Sequence, residues 1–515
     1  MPKIKVHEKA LGHLSRGLYR SPASALRELV SNAWDANATV VRMTTNFPNF
    51  FQIVVEDNGT GFSSEEFVNL MEGGIGNSEK ALSRIVSSGR PLIGRLGIGM
   101  LGIAQICLGF RIISRPKTGK GFSARIHLYD LLKESLDRND PAVTRQESGT
   151  REVDVGDYEI DESFDLRNVR IGTTIIADDV HPTFVRAFQD SVTFKGFKRP
   201  PKEWSDFLKV VSRERSLQEL GDYWRLIWEL SASCPVPYIN DRAVPHSLIA
   251  ADQKTLKSYN FKVLVDGLEL RKPINLHGNP DGYTYYHIQP QTKRIYDKDL
   301  IFHGYIVVQE GSQLRPDELR GIMIRIKNVG IGYYDPSFLD YRINQGPRSR
   351  WLTGEIIVDK GLEDALNIDR DSFNRFHPEF RAIQEYVHNI LETQIFPKVY
   401  REIEKRSAER SEEKEKARSK TLRQTVSDFT THPVKLKKQS QDDKDSNETP
   451  TVSVEYQKNQ TSLVLPSPED LDTKKGNRQL AVSILAIFEI ATRQKTRSEQ
   501  RKVFTELLLK LLARW

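Results

Sequence analysis

Residues 27–38 read RELVSNAWDANA, and their hydrophobic spacing predicts a helix. The apolar residues recur three and four positions apart and form one stripe that needs a core: Leu26, Leu29, Val30 and Ala33. Glu28, Asn32 and Asp35 have the same spacing and lie on the adjoining face. An acid, an amide and an acid in this position fit a solvated helix face and a functional site equally well. The following residues must decide between the two.

A predicted strand and a glycine turn come next, in FQIVVEDNGTGF (51–62). FQIVVE has the composition of a buried strand, and DNGTG has that of the turn that leaves it. Gly59 and Gly61 allow the backbone to approach a neighbour closely, and Asp57 presents a carboxylate at the strand end. A hairpin turn of the DNG type explains one glycine but explains the second less well.

A second glycine-rich stretch is PLIGRLGIGMLGIAQICLGFRIISR (91–115). Gly97, Gly99 and Gly102 match the dinucleotide-binding spacing G-x-G-x-x-G, but that motif requires a preceding strand and a following acid. Here a loop precedes the glycines, basic residues follow them, and the chain has no Walker A motif. The remaining interpretation is a glycine loop that opens an apolar helix at 100–108, whose free backbone N–H groups suit phosphate.

A fourth piece, NVRIGTTIIADDV (168–180), places a Gly-Thr pair before a strand. In this order, over residues 28–176, the pieces resemble the GHKL ATPases, the superfamily of gyrase, the ninety-kilodalton heat-shock chaperones, histidine kinases and MutL. The chaperone-like and MORC-like branches are the most similar. The resemblance implies an α+β fold: a Bergerat-type ATPase α/β sandwich, followed by an α/β transducer (middle) domain, a linker and C-terminal helices.

The same resemblance implies a site for ATP and Mg²⁺. Glu28 corresponds to the general base that activates water against the γ-phosphate, and Asn32 to the ligand whose amide oxygen binds Mg²⁺. Asp35 would hold the nucleotide through water, Asp57 would accept the adenine amino proton, and Thr173 would support the same base. The other implied nucleotide-binding residues are Gly59, Gly61, Lys80, Gly94, Gly97 and Gly99. The last three glycines would cradle phosphates from a lid.

Lys80 ends the stretch GIGNSEK (74–80). Its Gly-x-Ser-x-Lys element is similar to one of the MORC branch, in which the lysine reaches phosphate. An ordinary exposed lysine on a surface loop explains the stretch equally well.

Residues 355–374, EIIVDKGLEDALNIDRDSFN, resemble the chaperone transducer, in which a strand leads into a loop of the form L-N-x-x-R. Arg370 would then reach the γ-phosphate as an arginine finger and stabilise the charge of the transition state. An arginine paired with Asp369 or Asp371 at a helix start is the alternative. In the MutL and gyrase branches a transducer lysine has this role, for which Lys327 in RIKNVG is the candidate.

The chain divides into five predicted segments. They are an ATP-binding domain (1–188), a transducer domain (189–400), a charged helix (401–430), a flexible polar linker (431–478) and two amphipathic helices (479–515). Within the transducer, FKVLVDGLEL, FHGYIVVQEG and RGIMIRIKNVGIG predict strands, and 375–410 predicts a long helix. The two terminal helices cannot bury their apolar stripes alone, so either the second copy in a homodimer or the body of the chain has to cover them.

Composition excludes several classes of protein. The 515 residues include two cysteines, too few for a disulfide scaffold or a cysteine-based zinc site. The longest apolar run, at 480–490, is shorter than the about 20 residues that span a bilayer, and the first residues lack the apolar core of a signal peptide. We therefore expect a cytoplasmic protein without a membrane partner. Residues 401–515 hold 24 Lys and Arg against 18 Asp and Glu, which permits nucleic-acid contact, although a solvated basic tail explains it as well.

The resemblance implies a Mg-dependent ATPase that works as a molecular clamp. Mg-ATP would order the lid, at about 71–100, and bring two subunits together, and hydrolysis would reopen them. One hypothesis is a heat-shock-chaperone-like clamp on a protein client, based on the stretch DALNIDR. Another is a DNA-associated ATPase of the MutL or MORC kind, in repair or genome defence, based on the basic tail and GIGNSEK. A third is a nucleotide-gated scaffold with negligible turnover.

Overall fold

The computed structural model describes residues 21–72, 90–93, 103, 106–107, 109–128, 156–194, 198–211, 216–239, 246–274, 282–309, 313–342, 350–367, 371–398, 401, 408–409, 412–413, 416, 434–438, 453–457, 460–465, 488 and 495–514. The chain forms two compact units, Met1–Leu391 and Glu392–Trp515.

The first unit combines helices with two β-sheets. Its described helices are α1 (Pro22–Asp35), α2 (Ser64–Glu72), α3 (Pro182–Phe194), α4 (Trp204–Val211), α5 (Asp222–Ser233), α6 (His246–Ser258) and α7 (Pro378–Ile390). Its described strands are β1 (Val40–Thr44), β2 (Ile53–Asp57), β3 (Gly109–Arg115), β4 (Phe122–Leu128), β5 (Gly156–Asp161), β6 (Gly172–Ala177), β7 (Lys262–Val265), β8 (Leu268–Glu269), β9 (Tyr283–Ile295), β10 (Lys298–Gln309), β11 (Gly321–Ile326), β12 (Val329–Asp335) and β13 (Leu352–Lys360).

The larger sheet has the strand order β5-β4-β3-β6-β2-β1-β7-β8. Its neighbours pair antiparallel, except β1 and β7, which pair parallel. Alternate residues of β1 are buried, with Val41 and Met43 on the core, as expected when one face of a sheet is covered. Because β7 and β8 belong to this sheet, it extends past residue 188, the predicted end of the ATP-binding domain.

Helix α1 begins and ends at caps that its sequence encodes. Ser21 accepts the Ser24 N–H at 3.3 Å through its Oγ, and Pro22 provides the first helical residue. Asn37 follows the helix in the left-handed region, with φ at 59°, and both Asn37 and Ala38 donate N–H groups to carbonyls of the last turns. The apolar stripe of the sequence is buried, which confirms the helix and fixes the direction of its polar face.

The smaller sheet has the order β12-β11-β13-β10-β9, with β11 and β13 parallel. Every residue of β11 is buried, as expected for a strand covered on both faces. Helix α5 packs against α1, α3 and β12, and so connects the two sheets. These elements confirm the predicted α+β class and the strands in FHGYIVVQEG and RGIMIRIKNVGIG. The long helix predicted over 375–410 is observed as α7, followed by a π-helical turn at Leu391–Ile395.

A buried ion pair joins the parallel strands β11 and β13. Arg325 and Glu355 are both fully buried, with Arg325 Nε 2.8 Å from Glu355 Oε1. Tyr238 and Tyr334 donate their hydroxyls to the same carboxylate at 2.6 and 2.8 Å. Burial raises the pKa of Glu355, but the charges of Arg325 and Lys272 and these hydrogen bonds outweigh it and lower that pKa to about 2. The carboxylate is therefore ionised and well paired, as a buried charge has to be.

Replacing one partner of this ion pair should destabilise the protein more than replacing both. We expect Glu355→Gln to lower the free energy of unfolding by about 3–5 kcal/mol, because Arg325 keeps its charge in a buried site. The double variant Arg325→Met/Glu355→Leu should lie closer to the wild type, since it removes the buried guanidinium together with its partner. Urea denaturation of the three proteins measures this, and a single variant as stable as the double one would contradict it.

The second unit contains strands and a helix. They are β14 (Val434–Lys438), β15 (Ser453–Gln457), β16 (Gln460–Leu465) and α8 (Arg497–Arg514), with the strand order β14-β16-β15. The strands lie within 431–478, whose polar composition predicts a flexible linker. Short alternating stretches such as VKLKK and QTSLVL form strands here because they pair with one another. The second predicted terminal helix lies in α8, and the first is almost wholly outside the described residues. No helix among the described residues has the length and apolar character that crossing a membrane requires.

Candidate functional site

The polar face of α1 carries the predicted base and the predicted metal ligand one turn apart. Glu28 is 4% exposed, and Asn32 is half-buried. Arg27, which is also buried, places its Nη2 at 3.5 Å from Glu28 Oε1. This face of RELVSNAWDANA is therefore enclosed by the protein and is not a solvated helix face.

Arg27 also connects α1 to the loop that follows β13. Its Nη1 lies 2.6 Å from Asp371 Oδ1 and 3.5 Å from the carbonyl oxygen of Gly330 in β12. Burial lowers the pKa of Arg27, but the carboxylates of Asp371 and Glu28 outweigh burial, and the pKa ends above its ordinary value. A charged guanidinium thus holds three elements of the fold together beside the predicted base.

Asp57 lies at the end of β2 and against the start of β6. Its Oδ1 accepts the Gly59 N–H at 2.7 Å, and the backbone N–H of Thr173 donates to the same carboxyl group. Burial raises the pKa of Asp57 to about 6, and the two N–H donors limit the rise. Gly172, with φ at 131°, lies so close that a Cβ atom would come within 2.0 Å of the Asp57 carbonyl oxygen. The fold therefore brings Asp57 and Thr173 together and requires glycine before Thr173.

The two glycines of the DNGTG turn have a packing role. A Cβ atom on Gly59 would lie 2.7 Å from the carbonyl oxygen of Ala36, and one on Gly61 would lie 2.6 Å from that of Arg115. Thr60 donates its N–H to the same Ala36 oxygen at 2.8 Å. These contacts hold the turn against the residue that follows α1, so the end of β2 lies beside the C-terminal end of α1.

The start of the second glycine-rich stretch is anchored on the last turn of α1. Asp35 Oδ1 accepts the Ile93 N–H at 2.9 Å, and Trp34 Nε1 donates to the Pro91 carbonyl oxygen at 2.8 Å. The Arg90 guanidinium lies 4.5 Å from the centre of the Trp34 ring and donates to the Trp34 carbonyl at 3.1 Å. One oxygen of Asp35 thus has a backbone partner, and its contact with nucleotide through water stays a prediction.

Lys327 lies in the two-residue turn between β11 and β12. Lys327 and Asn328 both have positive φ, at 50° and 70°, as a tight hairpin turn requires. Lys327 Nζ is 2.9 Å from Glu363 Oε1 and 3.4 Å from the carbonyl oxygen of Leu92. A cavity of about 200 Å³ lies here, lined mostly by aliphatic side chains together with Lys327 and Glu363. The turn therefore reaches the start of the second glycine-rich stretch.

Several predicted site residues lie outside the described part of the chain: Lys80, Gly94, Gly97, Gly99 and Arg370. The others fall on α1, on the end of β2 with its turn, and on the start of β6. Sequence reasoning did not find the pairing of Arg27 with Asp371. Arg27 stands directly before Glu28, and Asp371 directly after Arg370, but 344 residues separate the pair and no spacing rule connects them.

The raised pKa of Asp57 predicts that its charge reduces stability above pH 6. With a pKa of 3.8 in the unfolded chain and about 6 in the folded one, its stabilising contribution is fully present below pH 3.8 and is lost as pH rises through 6. Asp57→Asn cannot ionise. As pH rises from about 4 to about 8, its free energy of unfolding should therefore increase relative to that of the wild type by up to about 2 kcal/mol. Thermal unfolding without nucleotide measures this, with the exposed Glu65→Gln as control. A difference that stays constant with pH would contradict it.

Comparison with known proteins points to the same part of the chain. Residues 19–154 match the family described as histidine kinase-, DNA gyrase B- and HSP90-like ATPase. The protein named "Putative type II restriction enzyme HgiDII", from Herpetosiphon aurantiacus, is 38% identical over 132 residues, which are 23% of this chain and 21% of that protein. The DNA mismatch repair protein MutL from Lactobacillus acidophilus is 40% identical over 68 residues, which are 13% of this chain and 11% of MutL.

The chain thus shares only a small part of the length of these two relatives. The matched residues include the whole of α1 and the glycine turn after β2, the elements that carry Glu28, Asn32 and Asp57. Residues 19–154 therefore carry a GHKL-type ATPase domain.

Proposed function

We propose that the chain is a Mg-dependent ATPase that works as a molecular clamp on DNA. The observation that supports this most is the 2.6 Å contact between Arg27 and Asp371. It seats the loop that follows β13 against the helix that carries Glu28, within one compact unit. Asp371 directly follows Arg370 in the sequence. Hydrolysis of ATP requires a group that orients water and a cation that stabilises the transferred phosphoryl group, and these two elements would supply them.

In this proposal the residues near the nucleotide have separate tasks. The residues at the ends of two neighbouring strands fit the adenine of ATP. Asp57 at the end of β2 and Thr173 at the start of β6 would offer hydrogen-bonding groups to the base. Glu28 would orient and deprotonate the attacking water from its place on α1. Asn32, one turn further along, would hold Mg²⁺ through its amide oxygen. The metal ion would supply positive charge that neutralises the phosphates.

The names of the two relatives favour DNA as the client. MutL is named as a DNA mismatch repair protein, and HgiDII is named as a "putative type II restriction enzyme". The excess of Lys and Arg over Asp and Glu in residues 401–515 would attract a phosphate backbone. A clamp on a protein client is the second candidate, and the resemblance of DALNIDR to the chaperone transducer favours it. Closure around either client would require two copies of the chain, so we propose a homodimer.

Glu28→Ala should abolish turnover and keep nucleotide binding. We expect kcat to fall by about 10²-fold or more, because the water loses its proton acceptor. The affinity for ATP, measured by calorimetry, should stay near that of the wild type. Glu65→Ala, which removes an exposed acid from α2, is the matched control. Turnover retained in Glu28→Ala would contradict the role of the base, and a wild type without turnover would leave only a nucleotide-binding scaffold.

The same assay separates the two clients. Turnover is measured with and without duplex DNA, at about 50 mM and about 200 mM salt. An increase with DNA at low salt that is lost at high salt supports the DNA clamp, because contacts with phosphates release counterions. Turnover that requires Glu28 and ignores DNA at both salt concentrations would contradict the DNA clamp and favour a protein client.

Arg370→Ala should lower turnover more than Lys327→Ala. We expect a fall in kcat of about 10³-fold for Arg370→Ala, the lower end for an arginine finger, and less than about tenfold for Lys327→Ala. The reason is that Asp371, next to Arg370, is held by Arg27, the residue before Glu28, whereas Lys327 is already paired with Glu363 at 2.9 Å. Steady-state kinetics at saturating ATP measures this. A larger fall in kcat for Lys327→Ala than for Arg370→Ala would instead assign the contact with the γ-phosphate to Lys327.

A further inference from the structure

One peptide group of the first unit is held from two different elements. Its N–H, that of Ile93, donates to Asp35 Oδ1 at the end of α1 at 2.9 Å. Its carbonyl oxygen, that of Leu92, accepts from Lys327 Nζ at 3.4 Å. The Leu92–Ile93 peptide therefore lies between α1 and the turn that joins β11 to β12, and both contact it.

The turn that carries Lys327 is fixed on its own sheet. The Lys327 N–H donates to the Val358 carbonyl oxygen of β13 at 3.0 Å. The next residue, Asn328, is 7% exposed, and its Oδ1 accepts a hydrogen bond at 3.3 Å from the fully buried Lys272. The position of the turn therefore follows that of the smaller sheet, because both of its residues are bonded to neighbouring elements.

Glu363 holds the ammonium group of Lys327 in place. Its Oε1 lies 2.9 Å from Lys327 Nζ, and the side chains of Lys327 and Glu363 are 22% and 17% exposed. Glu363 is itself held through its neighbour, since the Leu362 N–H donates to Glu379 Oε2 of α7 at 2.9 Å. An ammonium group has three N–H donors and can bind a carboxylate and a carbonyl oxygen together. This geometry fits a lysine that fixes the backbone.

The cavity of about 200 Å³ lies beside the same peptide. Leu92 and Ile93 line it, and so do Ile326 and Val329 on either side of the turn. Protein interiors are otherwise close-packed, so a segment next to a void has room to shift. The polar contacts of the Leu92–Ile93 peptide therefore contribute more to its position than they would in a filled core.

We propose that Lys327 is a positioning residue for nucleotide binding, which holds the Leu92–Ile93 peptide from the smaller sheet while Asp35 holds it from α1. Loss of this contact lets the peptide shift toward the cavity. Asp35 then loses the position from which it would hold the nucleotide through water. Because Lys327 acts through Asp35 and not on the γ-phosphate, it affects the binding of ADP and ATP alike. This inference rests on the proposed function, in which Mg-ATP binds beside α1.

A comparison of ADP with the non-hydrolysable analogue AMP-PNP tests this inference. We expect Lys327→Met to raise the dissociation constants of both by a similar factor, about fivefold, the lower end for coupling between two sites. Lys327→Arg keeps a cation with several donors and should restore the affinity for both. Calorimetry with Mg²⁺ measures this. At saturating ATP, kcat of Lys327→Met should stay within about threefold of the wild type, so that the loss appears in KM.

Lys360→Met is the matched control, because it removes an exposed lysine of β13 that pairs with Asp299 at 2.8 Å. Its affinity for both nucleotides should equal that of the wild type. Weaker binding of AMP-PNP alone in Lys327→Met would reveal a direct contact with the γ-phosphate and overturn the inference. Unchanged affinity for both nucleotides in Lys327→Met would overturn it as well.

Asp35→Ala tests the route through α1. When Asp35 no longer holds the peptide, adding Lys327→Met should weaken binding by less than about twofold, because the two residues act through one group. The full loss of affinity in that background would overturn the inference. The thermal midpoint of each variant shows whether it folds, and if Asp35→Ala does not fold, the comparison of ADP with AMP-PNP carries the test. In all these outcomes the wild type binds nucleotide, whereas a wild type that binds neither would overturn the proposed function and the inference with it.

Discussion

The buried guanidinium of Arg27 holds the first unit in the arrangement that the candidate site requires. A buried cation needs acceptors around it, and Arg27 has them on separate elements: Glu28 on its own helix, Asp371 after β13 and the Gly330 carbonyl in β12. An unpaired charge in this place would be costly, because water does not reach it. The pairing therefore fixes the position of α1 against the smaller sheet more specifically than apolar contacts alone would, since apolar packing has no direction.

The buried ion pair of Arg325 and Glu355 is connected to α1 through α5. Arg325, which is paired with Glu355 inside the smaller sheet, also donates to the carbonyl oxygen of Ala232 at 2.7 Å, near the end of α5. On the same helix, Glu229 accepts a hydrogen bond at 2.9 Å from Ser21, the cap of α1. The start of α1 is thus connected to the interior of the smaller sheet by hydrogen bonds through one helix. The position of α1 therefore depends on α5 and the smaller sheet as well as on its own apolar stripe.

Local features of the site were predictable from the sequence, and long-range contacts were not. The periodicity of RELVSNAWDANA predicts α1, FQIVVE predicts β2, and the resemblance places a Gly-Thr pair beside Asp57, as the fold does. The glycines of DNGTG were expected to approach a nucleotide, whereas backbone contacts within the protein already explain them. The contact of Arg27 with Asp371 has no local signal, because tertiary folding alone brings the two together. The strands within 431–478 were missed because pairing between short segments, more than composition, decides whether they form.

The residues that match the ATPase family end at 154, but the sheet that carries Asp57 continues to β8. β7 pairs with β1, and Tyr259 and Phe261, just before β7, meet the Trp34 ring edge-on at 5.1 and 5.0 Å. A fragment cut at residue 188 would therefore leave β1 as an open sheet edge and Trp34 without these aromatic neighbours. The nucleotide-binding part is consequently not a module that recombination can exchange alone. An exchange between relatives that preserves this fold has to carry the chain at least as far as β8.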